Sequence, residues 1–417
     1  MRIPNVCRWG SPCAVVARRA TWLALLVFLP LQGLRAQAVV VVRGVPLSAF
    51  GSIDAADFDG DGDNDLMVIG QNADGDPITG LYAFQARVEE PIPRSPPRIV
   101  AVYESVPFSS RRMKSGRVSW ADMDADGDPD LLVSGLAVVE STIDTTEELP
   151  ATDVFENQGG QALIFRTPTG LPPLVEPRLD WADVDGDGLL DLALAGIRED
   201  GLALLAVFRN DGDFAFSPIL ELESRLETSD LAFGDVDGDG DQDVIATGTG
   251  SNGPETLVLR NSGGTFTTET APFPDWLFTR LAAGDVDGDG DDDVAFTGGV
   301  LSPDLVSGQS TLAGAGPEGF DFGNALDGVF AGAVQWADHD LDGDLDLLLA
   351  GVEDLQASDN QRLILYRNEA GSLERLEAFR GVLFGTVLWF DYDGNGLLDV
   401  LMAGVQEGRL IMSIFEL

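Results

Sequence analysis

A fourteen-residue acidic pattern recurs seven times in this 417-residue chain, and its spacing constrains the fold more than any other feature. It reads DFDGDGDNDLMVIG from Asp57, DMDADGDPDLLVSG from Asp122, DVDGDGLLDLALAG from Asp183 and DVDGDGDQDVIATG from Asp235. DVDGDGDDDVAFTG from Asp285, DHDLDGDLDLLLAG from Asp338 and DYDGNGLLDVLMAG from Asp391 complete the series. These starts lie 65, 61, 52, 50, 53 and 53 residues apart. A fixed motif at a period near 50 residues describes a propeller, a solenoid or an array of repeats.

The surrounding sequence chooses among these. Short alternating runs such as GRVSWAD, PRLDWAD and GAVQWAD precede the motif, and an apolar run closed by glycine ends it. Strand-like runs and turns follow, as in LLAVFRNDGDFAF, TLVLRNSGGTF and LILYRNEAGSL. Each repeat therefore reads as about four strands, with no amphipathic helix. The expected fold is all-β: a seven-bladed β-propeller of four-stranded blades. A β-helix would need much shorter coils. The last repeat stops one strand short, after RLIMSIFEL, while VVVVRG stands ahead of the first complete one. Val39 to Arg43 is expected to pair beside the C-terminal strands and close the ring, removing exposed sheet edges.

Residues 1–38 read as a secretory signal peptide and residues 39–417 as the propeller. Arg2, Arg8, Arg18 and Arg19 precede the apolar run TWLALLVFLPLQGL, and small residues Ala36 and Ala38 follow it. That run is too short to span a bilayer comfortably, and no later stretch approaches the length needed. The expectation is a secreted or cell-surface protein, with a periplasmic one the variant, having no transmembrane anchor and acting as a monomer. Cys7 and Cys13 both lie ahead of the apolar run, so the mature chain would have no disulfide. The formal charge of −45 argues against nucleic acid and anionic membranes as partners. Lys114 is the sole lysine, which suits salt adaptation and GC-rich codon usage equally.

The motif has the chemistry of a hard-cation cage. Numbered from its first aspartate, positions 1, 3, 5 and 9 are acidic throughout except for Asn395, and position 6 is always glycine. Oxygen ligands at alternate positions around a sharp glycine turn suit calcium, whereas magnesium prefers to keep several waters. Position 7 varies between Asp and Leu, as expected of a ligand donating its backbone carbonyl. The candidate metal residues are Asp57, Asp59, Asp61, Asp63 and Asp65 in the first loop, and Asp122, Asp124, Asp126, Asp128 and Asp130 in the second. The third has Asp183, Asp185, Asp187, Leu189 and Asp191, and the fourth Asp235, Asp237, Asp239, Asp241 and Asp243. The fifth has Asp285, Asp287, Asp289, Asp291 and Asp293, and the sixth Asp338, Asp340, Asp342, Asp344 and Asp346. Asp391, Asp393, Asn395, Leu397 and Asp399 form the seventh. An EF-hand would need a Glu at position 12, but that position is apolar in every copy (Val68 and Leu349, for example). Acidic turns without a metal are the simpler alternative, and seven copies with five fixed positions argue against it. The expectation is up to seven structural Ca²⁺ ions.

These copies resemble the FG-GAP (or VCBS) repeats of the integrin α-subunit propeller and its bacterial secreted relatives. There the D-x-D-x-D-G-x-x-D segment is a calcium loop between two strands of a blade. The resemblance covers essentially all of residues 39 to 417. FGSIDAADFDGDGDNDLMVIG, from Phe50, stands closest to the integrin form; Phe-Gly is missing from most other repeats and Gly-Ala-Pro from all. Ligand recognition of the integrin kind is therefore not implied.

Catalytic candidates are few. His339, at position 2 of the sixth loop, is the chain's one histidine, and alternation points it away from the metal. Trp120, Trp181, Phe233, Trp336 and Trp389 stand two residues before their loops, where packing between blades explains them better than sugar stacking. The stretch from Arg94 to Arg117 is basic and reads as either an anionic-glycan patch or a neutraliser of neighbouring acidic blades. AVVESTIDTTEELPATDVF reads as a long solvated loop. The functional expectation is a calcium-binding scaffold for binding or adhesion to an extracellular protein or glycan. The alternative is a polysaccharide lyase or hydrolase built on the same frame, for which no catalytic residue stands out.

Overall fold

The structure is a computed structural model that describes residues 38–46, 51–92, 97–142, 145–223, 225–301, 306–316, 319–354, 360–406 and 408–417. The proposed leader lies outside these residues, apart from Ala38. The described chain is all-β, with no helix among the described residues.

Strand β1 (Ala38–Arg43) precedes six groups of four strands and a last group of three. The first group is β2 (Ile53–Ala56), β3 (Asp65–Gln71), β4 (Pro77–Glu90) and β5 (Arg98–Val106). The second is β6 (Arg112–Ala121), β7 (Asp130–Thr142), β8 (Thr145–Asn157) and β9 (Leu163–Arg166). The third is β10 (Val175–Ala182), β11 (Asp191–Ile197), β12 (Ala203–Asn210) and β13 (Phe216–Glu223). The fourth is β14 (Glu227–Gly234), β15 (Asp243–Gly250), β16 (Gly253–Arg260) and β17 (Thr267–Thr270). The fifth is β18 (Leu277–Gly284), β19 (Asp293–Leu301), β20 (Val306–Gly314) and β21 (Asp321–Leu326). The sixth is β22 (Phe330–Ala337), β23 (Asp346–Val352), β24 (Gln361–Glu369) and β25 (Ser372–Arg380). The last three strands are β26 (Leu383–Phe390), β27 (Asp399–Gln406) and β28 (Arg409–Glu416).

Groups two to six are separate four-stranded antiparallel sheets. The first group and the last three strands join through β1 into one eight-stranded sheet, in the order β2-β3-β4-β5-β1-β28-β27-β26. Ala38 to Val41 pair antiparallel with Glu416 to Ser413, as the sequence led us to expect. Val41 to Arg43 also pair parallel with Val100 to Val102, which the sequence did not suggest. The expected solvated loop is instead part of two long paired strands: β7 and β8 pair from Leu131↔Phe155 to Glu140↔Thr146, and the register shifts before Thr142↔Thr145. Threonine and valine there supply the β-branched side chains a strand accommodates well.

Each acidic motif falls at the same place. Position 9 is the first residue of the second strand in all seven groups, from Asp65 in β3 to Asp399 in β27. It pairs with the residue just before position 1, as in Ala182↔Asp191 and Phe390↔Asp399. The following apolar run is buried on both faces: β3, β11, β15 and β23 each begin with six buried residues. Those runs make the cores between neighbouring sheets. Ala193, Ala195, Leu205 and Val207 of the third sheet pack with Val244, Ala246, Leu257 and Leu259 of the fourth. Ile53, Leu66, Val68 and Tyr103 pack in the same way with Leu388, Tyr392, Leu401 and Ile414 of the last strands.

Hydrogen bonds between first strands stitch neighbours together. The Asp54 carboxylate accepts from Trp120 N at 3.0 Å, Asp180 from Phe233 N at 2.8 Å and Asp230 from Leu281 N at 3.2 Å. Trp181 Nε1 donates to Ser119 Oγ at 3.1 Å, and Trp336 Nε1 to the Ala282 carbonyl at 3.2 Å. Trp389 N donates to Gln335 Oε1 at 3.2 Å, and Ile53 N to Thr386 Oγ1 at 3.3 Å. Every consecutive pair of first strands, including β26 with β2, thus shares such a bond. Bonds of this kind contribute about 1 kcal/mol each.

Candidate metal centres

Each motif is an eight-residue turn wound on its own first carboxylate. Asp57 accepts the amides of Gly60, Asp61 and Gly62 at 2.8, 3.1 and 3.0 Å. Asp183 and Asp235 take the equivalent amides of their loops. The position-5 side chain accepts the position-7 amide, as in Asp187 to Leu189 N at 2.9 Å and Asn395 to Leu397 N at 2.8 Å. The turn needs left-handed backbone at position 6, where φ runs from 85° at Gly396 to 99° at Gly343. An L residue pays for that conformation, and glycine does not. Position 4 is left-handed too, even where it is Ala125 (φ 58°) or Leu341 (φ 61°).

Position 9 anchors the turn in the sheet. Asp130 accepts Met123 N at 2.9 Å and Asn157 N at 2.8 Å, and Asp191 accepts Val184 N at 2.9 Å and Asn210 N at 2.7 Å. These carboxylates are almost wholly buried. The side chain at position 7 has a separate task in two loops: Asp241 accepts Gly263 N at 2.7 Å and Asp344 accepts Ala370 N at 2.8 Å. That leaves the position-7 backbone carbonyl as the group expected to serve a cation.

The carboxylates crowd together. Asp57, Asp59 and Asp61 each bring one oxygen within 4.8 Å of the others, as do Asp122, Asp124 and Asp130, then Asp183, Asp185 and Asp191, then Asp235, Asp237 and Asp239. Burial pushes Asp65 and Asp130 up to about 7 and Asp399 up to about 8, and neighbouring loop carboxylates add to each shift. Burial likewise raises Asp59 and Asp124, with Asp61 and Asp126 contributing. Two like charges 4 Å apart repel by about 4 kcal/mol at intermediate dielectric. Buried oxygens without a hydrogen-bond partner include Asp63 Oδ1, Asp237 Oδ1, Asp393 Oδ1 and Asp399 Oδ2. An all-oxygen donor set with unpartnered, mutually repelling members fits a hard divalent cation. In the fourth loop a protein cation also takes part: Arg260 Nη1 lies 2.8 Å from Asp243 Oδ2 and 3.4 Å from Asp237 Oδ2.

Residues 183–246 and 235–296, which hold the third, fourth and fifth loops, match the FG-GAP-like repeat family. The chain carries FG-GAP-like repeats. No curated protein matches the sequence. Among solved structures, that of the exotype rhamnogalacturonan lyase YesX is similar at 13% identity and a TM-score of 0.41, covering 90% of this chain and 74% of that one.

Successive repeats are latched through asparagines that the sequence presented only as turn residues. Asn157 Nδ2 donates to the Phe58 carbonyl at 2.9 Å, Asn210 to Met123 at 2.7 Å and Asn261 to Val184 at 2.8 Å. Each accepting carbonyl belongs to position 2 of the preceding repeat's loop. The signal was present as Arg-Asn at Asn210, Asn261 and Asn368, although Asn157 follows Glu156. The fifth repeat has Ala315 at the equivalent place, and a carboxylate serves instead: Asp292 accepts Asp235 N at 2.9 Å. Where the first and seventh loops meet, a Cβ on Gly394 would come within 2.4 Å of the Gly62 carbonyl oxygen. Nearby, Tyr392 donates to Glu416 at 2.5 Å and Arg87 pairs with Glu416 at 2.8 Å.

His339 is not turned away from its loop: Nδ1 hydrogen-bonds Asp346 Oδ2, while the ring lies 5.8 Å from Trp389 of the next repeat. Burial raises the Asp346 carboxyl, but hydrogen bonds from His339 and Asn368 outweigh it and hold the group low. Tryptophans before the loops are part-buried, and Trp120 lies 6.2 Å from Phe58 of the preceding repeat, which is packing between repeats. Basic residues after Arg94, which is outside the described residues, face acids: Arg98 pairs with Glu90, Arg111 with Asp153 at 3.6 Å and Lys114 with Glu148 at 2.6 Å.

Proposed function

We propose that residues 39–417 form a closed seven-bladed β-propeller whose loops hold calcium, and that this secreted, monomeric protein is a scaffold for binding an extracellular protein or glycan. One observation carries the reading: buried loop oxygens at Asp63, Asp237, Asp393 and Asp399, in the first, fourth and seventh loops, have no hydrogen-bond partner among the described residues. The proposed ligands are the carboxylates of positions 1, 3, 5 and 9 (Asn395 in the seventh loop) and the position-7 carbonyl. Bound calcium would neutralise the repulsion and tie the first strand of each blade to the second. Closure of the ring is supported by the packing of Ile53 and Leu66 against Leu388 and Leu401, and by the Ile53–Thr386 hydrogen bond. The apolar run after Arg18 and Arg19 supports secretion.

Calcium at 100 times its dissociation constant stabilises the folded state by about 2.7 kcal/mol per site. Elemental analysis of protein purified in calcium should return several ions per chain, and EDTA should lower the melting temperature by many degrees. Protein that folds with no tightly held calcium would refute the cages. A glycan array in calcium, run beside a polysaccharide depolymerisation screen, tests the scaffold: depolymerisation without retained binding would replace it with an enzyme.

A further inference from the structure

One place on the third strand, across the ladder from position 9 of the loop, changes from repeat to repeat. The pairs Leu192↔Phe208, Val244↔Leu259 and Leu347↔Tyr366, carried on by one residue, set Arg209, Arg260 and Arg367 opposite Asp191, Asp243 and Asp346. Arg209 turns to Asp211, with Nη2 2.6 Å from Oδ1, and Arg367 pairs with Glu369. Arg260 turns into its loop. Three carboxylates hold it there: Asp243 at 2.8 Å, Glu269 at 3.0 Å and Asp237 at 3.4 Å.

In the fifth repeat Val294↔Ala313 sets Gly314 at this place, opposite Asp293. The long side chain is gone, but the acids that would receive it remain. A cavity of about 170 Å³ lies there, lined by Asp287, Asp293, Asp321, Leu312, Gly314 and, from the sixth repeat, Gly371. Asp293 and Asp287 stand at positions 9 and 3, as Asp243 and Asp237 do in the fourth loop. Asp321 supplies the third carboxylate from β21, as Glu269 does from β17. Asp293 is 6% exposed and Asp321 is exposed, so the cavity runs from a buried acid to solvent. Its motif is also dense in charge, with six aspartates in nine positions from Asp285. The neighbouring repeat shows what such a trio takes: a planar guanidinium, whose five donors form charge-assisted hydrogen bonds with carboxylates.

We propose that this cavity receives the guanidinium of an arginine side chain from a partner protein, in the place that Arg260 fills for the fourth repeat. Leu312 gives the aliphatic stem an apolar wall, and the three acids take the head. Asp287 and Asp293 are also proposed calcium ligands, so the two cations compete for them. The inference deepens the scaffold reading and rests on it for the partner being an extracellular protein.

The test is isothermal calorimetry of the full chain at constant ionic strength, titrated with N-acetylarginine amide and with its neutral counterpart, N-acetylcitrulline amide. Titrations are run in calcium and after chelation, with circular dichroism following the sheets. Saturable arginine binding is expected after chelation, about tenfold weaker in calcium, with citrulline at least about tenfold weaker than arginine. Gly314→Arg should abolish it, because the chain's own guanidinium then fills the cavity. A Cβ on Gly314 meets Asp293 Oδ1 and the Asp321 carbonyl oxygen at 3.7 Å, ordinary contacts. Asp321→Asn, an exposed change outside the seven loops, should weaken binding about tenfold and decides the matter if Gly314→Arg does not fold. Absence of saturable arginine binding in both conditions overturns the site, as does equal affinity for citrulline or unchanged affinity in Asp321→Asn. Elemental analysis of the same sample reads the calcium cages, so their failure is seen separately from failure of the arginine site.

Discussion

Asn368 belongs to two repeats at once: its Nδ2 donates to the Val286 carbonyl at 2.7 Å while its own amide donates to Asp346 at 2.8 Å. One asparagine therefore joins the carboxylate that closes the sixth loop to the backbone of the fifth. Asn368→Ala should leave that buried carbonyl unpaired and cost about 1–3 kcal/mol. Urea denaturation in calcium measures the loss. The same variant should weaken calcium in the fifth and sixth loops but leave the second unchanged.

Arg260 reaches into the fourth loop, pairing with Asp243 and Asp237. A guanidinium there competes with a divalent ion for the same oxygens. Arg260→Ala is expected to tighten calcium binding at this loop by about tenfold while lowering stability in EDTA, where the carboxylates lose their one cation. Calcium titrations of the two proteins, followed by calorimetry, give the comparison. Equal affinities would show that the arginine does not reach the cage in solution.

Burial raises the carboxyls of Asp54 and Asp180 from 3.8 to about 6. The unfolded chain releases these protons near pH 4, whereas the folded chain keeps them to about pH 6. Their contribution to stability is thus full below pH 4 and is lost as pH rises through 6, by roughly 3 kcal/mol per group. The Asp54→Asn/Asp180→Asn variant should have a flatter stability curve between pH 4 and 7 than the parent, measured by denaturation in calcium. The readout is the slope, since the amide also places a donor against a backbone N–H and shifts the whole curve.

Gly240 has φ 90°, and a Cβ there would meet nothing within 4 Å. Gly240→Ala should therefore cost about 1–2 kcal/mol through backbone conformation alone. Calcium affinity should fall at the fourth loop and at no other. A much larger loss, read from thermal melts, would mean that the loop packs against something in solution.

Removing residues 38–43 would bare the facing edges of β28 and β5, to which β1 is bonded. Unpaired edges recruit other strands. The truncated protein should form dimers or larger species on size-exclusion chromatography, and the parent should elute as a monomer.

The sequence carried the repeat, its strands and the loop positions because all of these are local: acid at alternate places, glycine at the sharp turn, an apolar run behind. Asp65, Asp191 and Asp399 each open a second strand as the motif implied. The alternation that turned His339 away from its loop failed for a local reason as well. Leu341, two residues later, is left-handed, so the segment is a turn and a period of two does not apply. The asparagine latches and the bonds along the first strands were hidden differently. Ile53 and Thr386 stand 333 residues apart, and only the placement of whole sheets brings them together. The pairing of Val138 to Glu140 with Glu148 to Thr146 was misread because threonines and acids suit a solvated strand as well as a loop.

β1 has a mechanical consequence. Bonded on one side to β28 and on the other to β5, it makes a single plate of the beginning and end of the chain. Bending that admits a partner must therefore be taken up at the five free-standing sheets. At the boundary between the fourth and fifth, where alanine replaces the latching asparagine, the bond from Asp235 N to Asp292 is a contact such bending would strain.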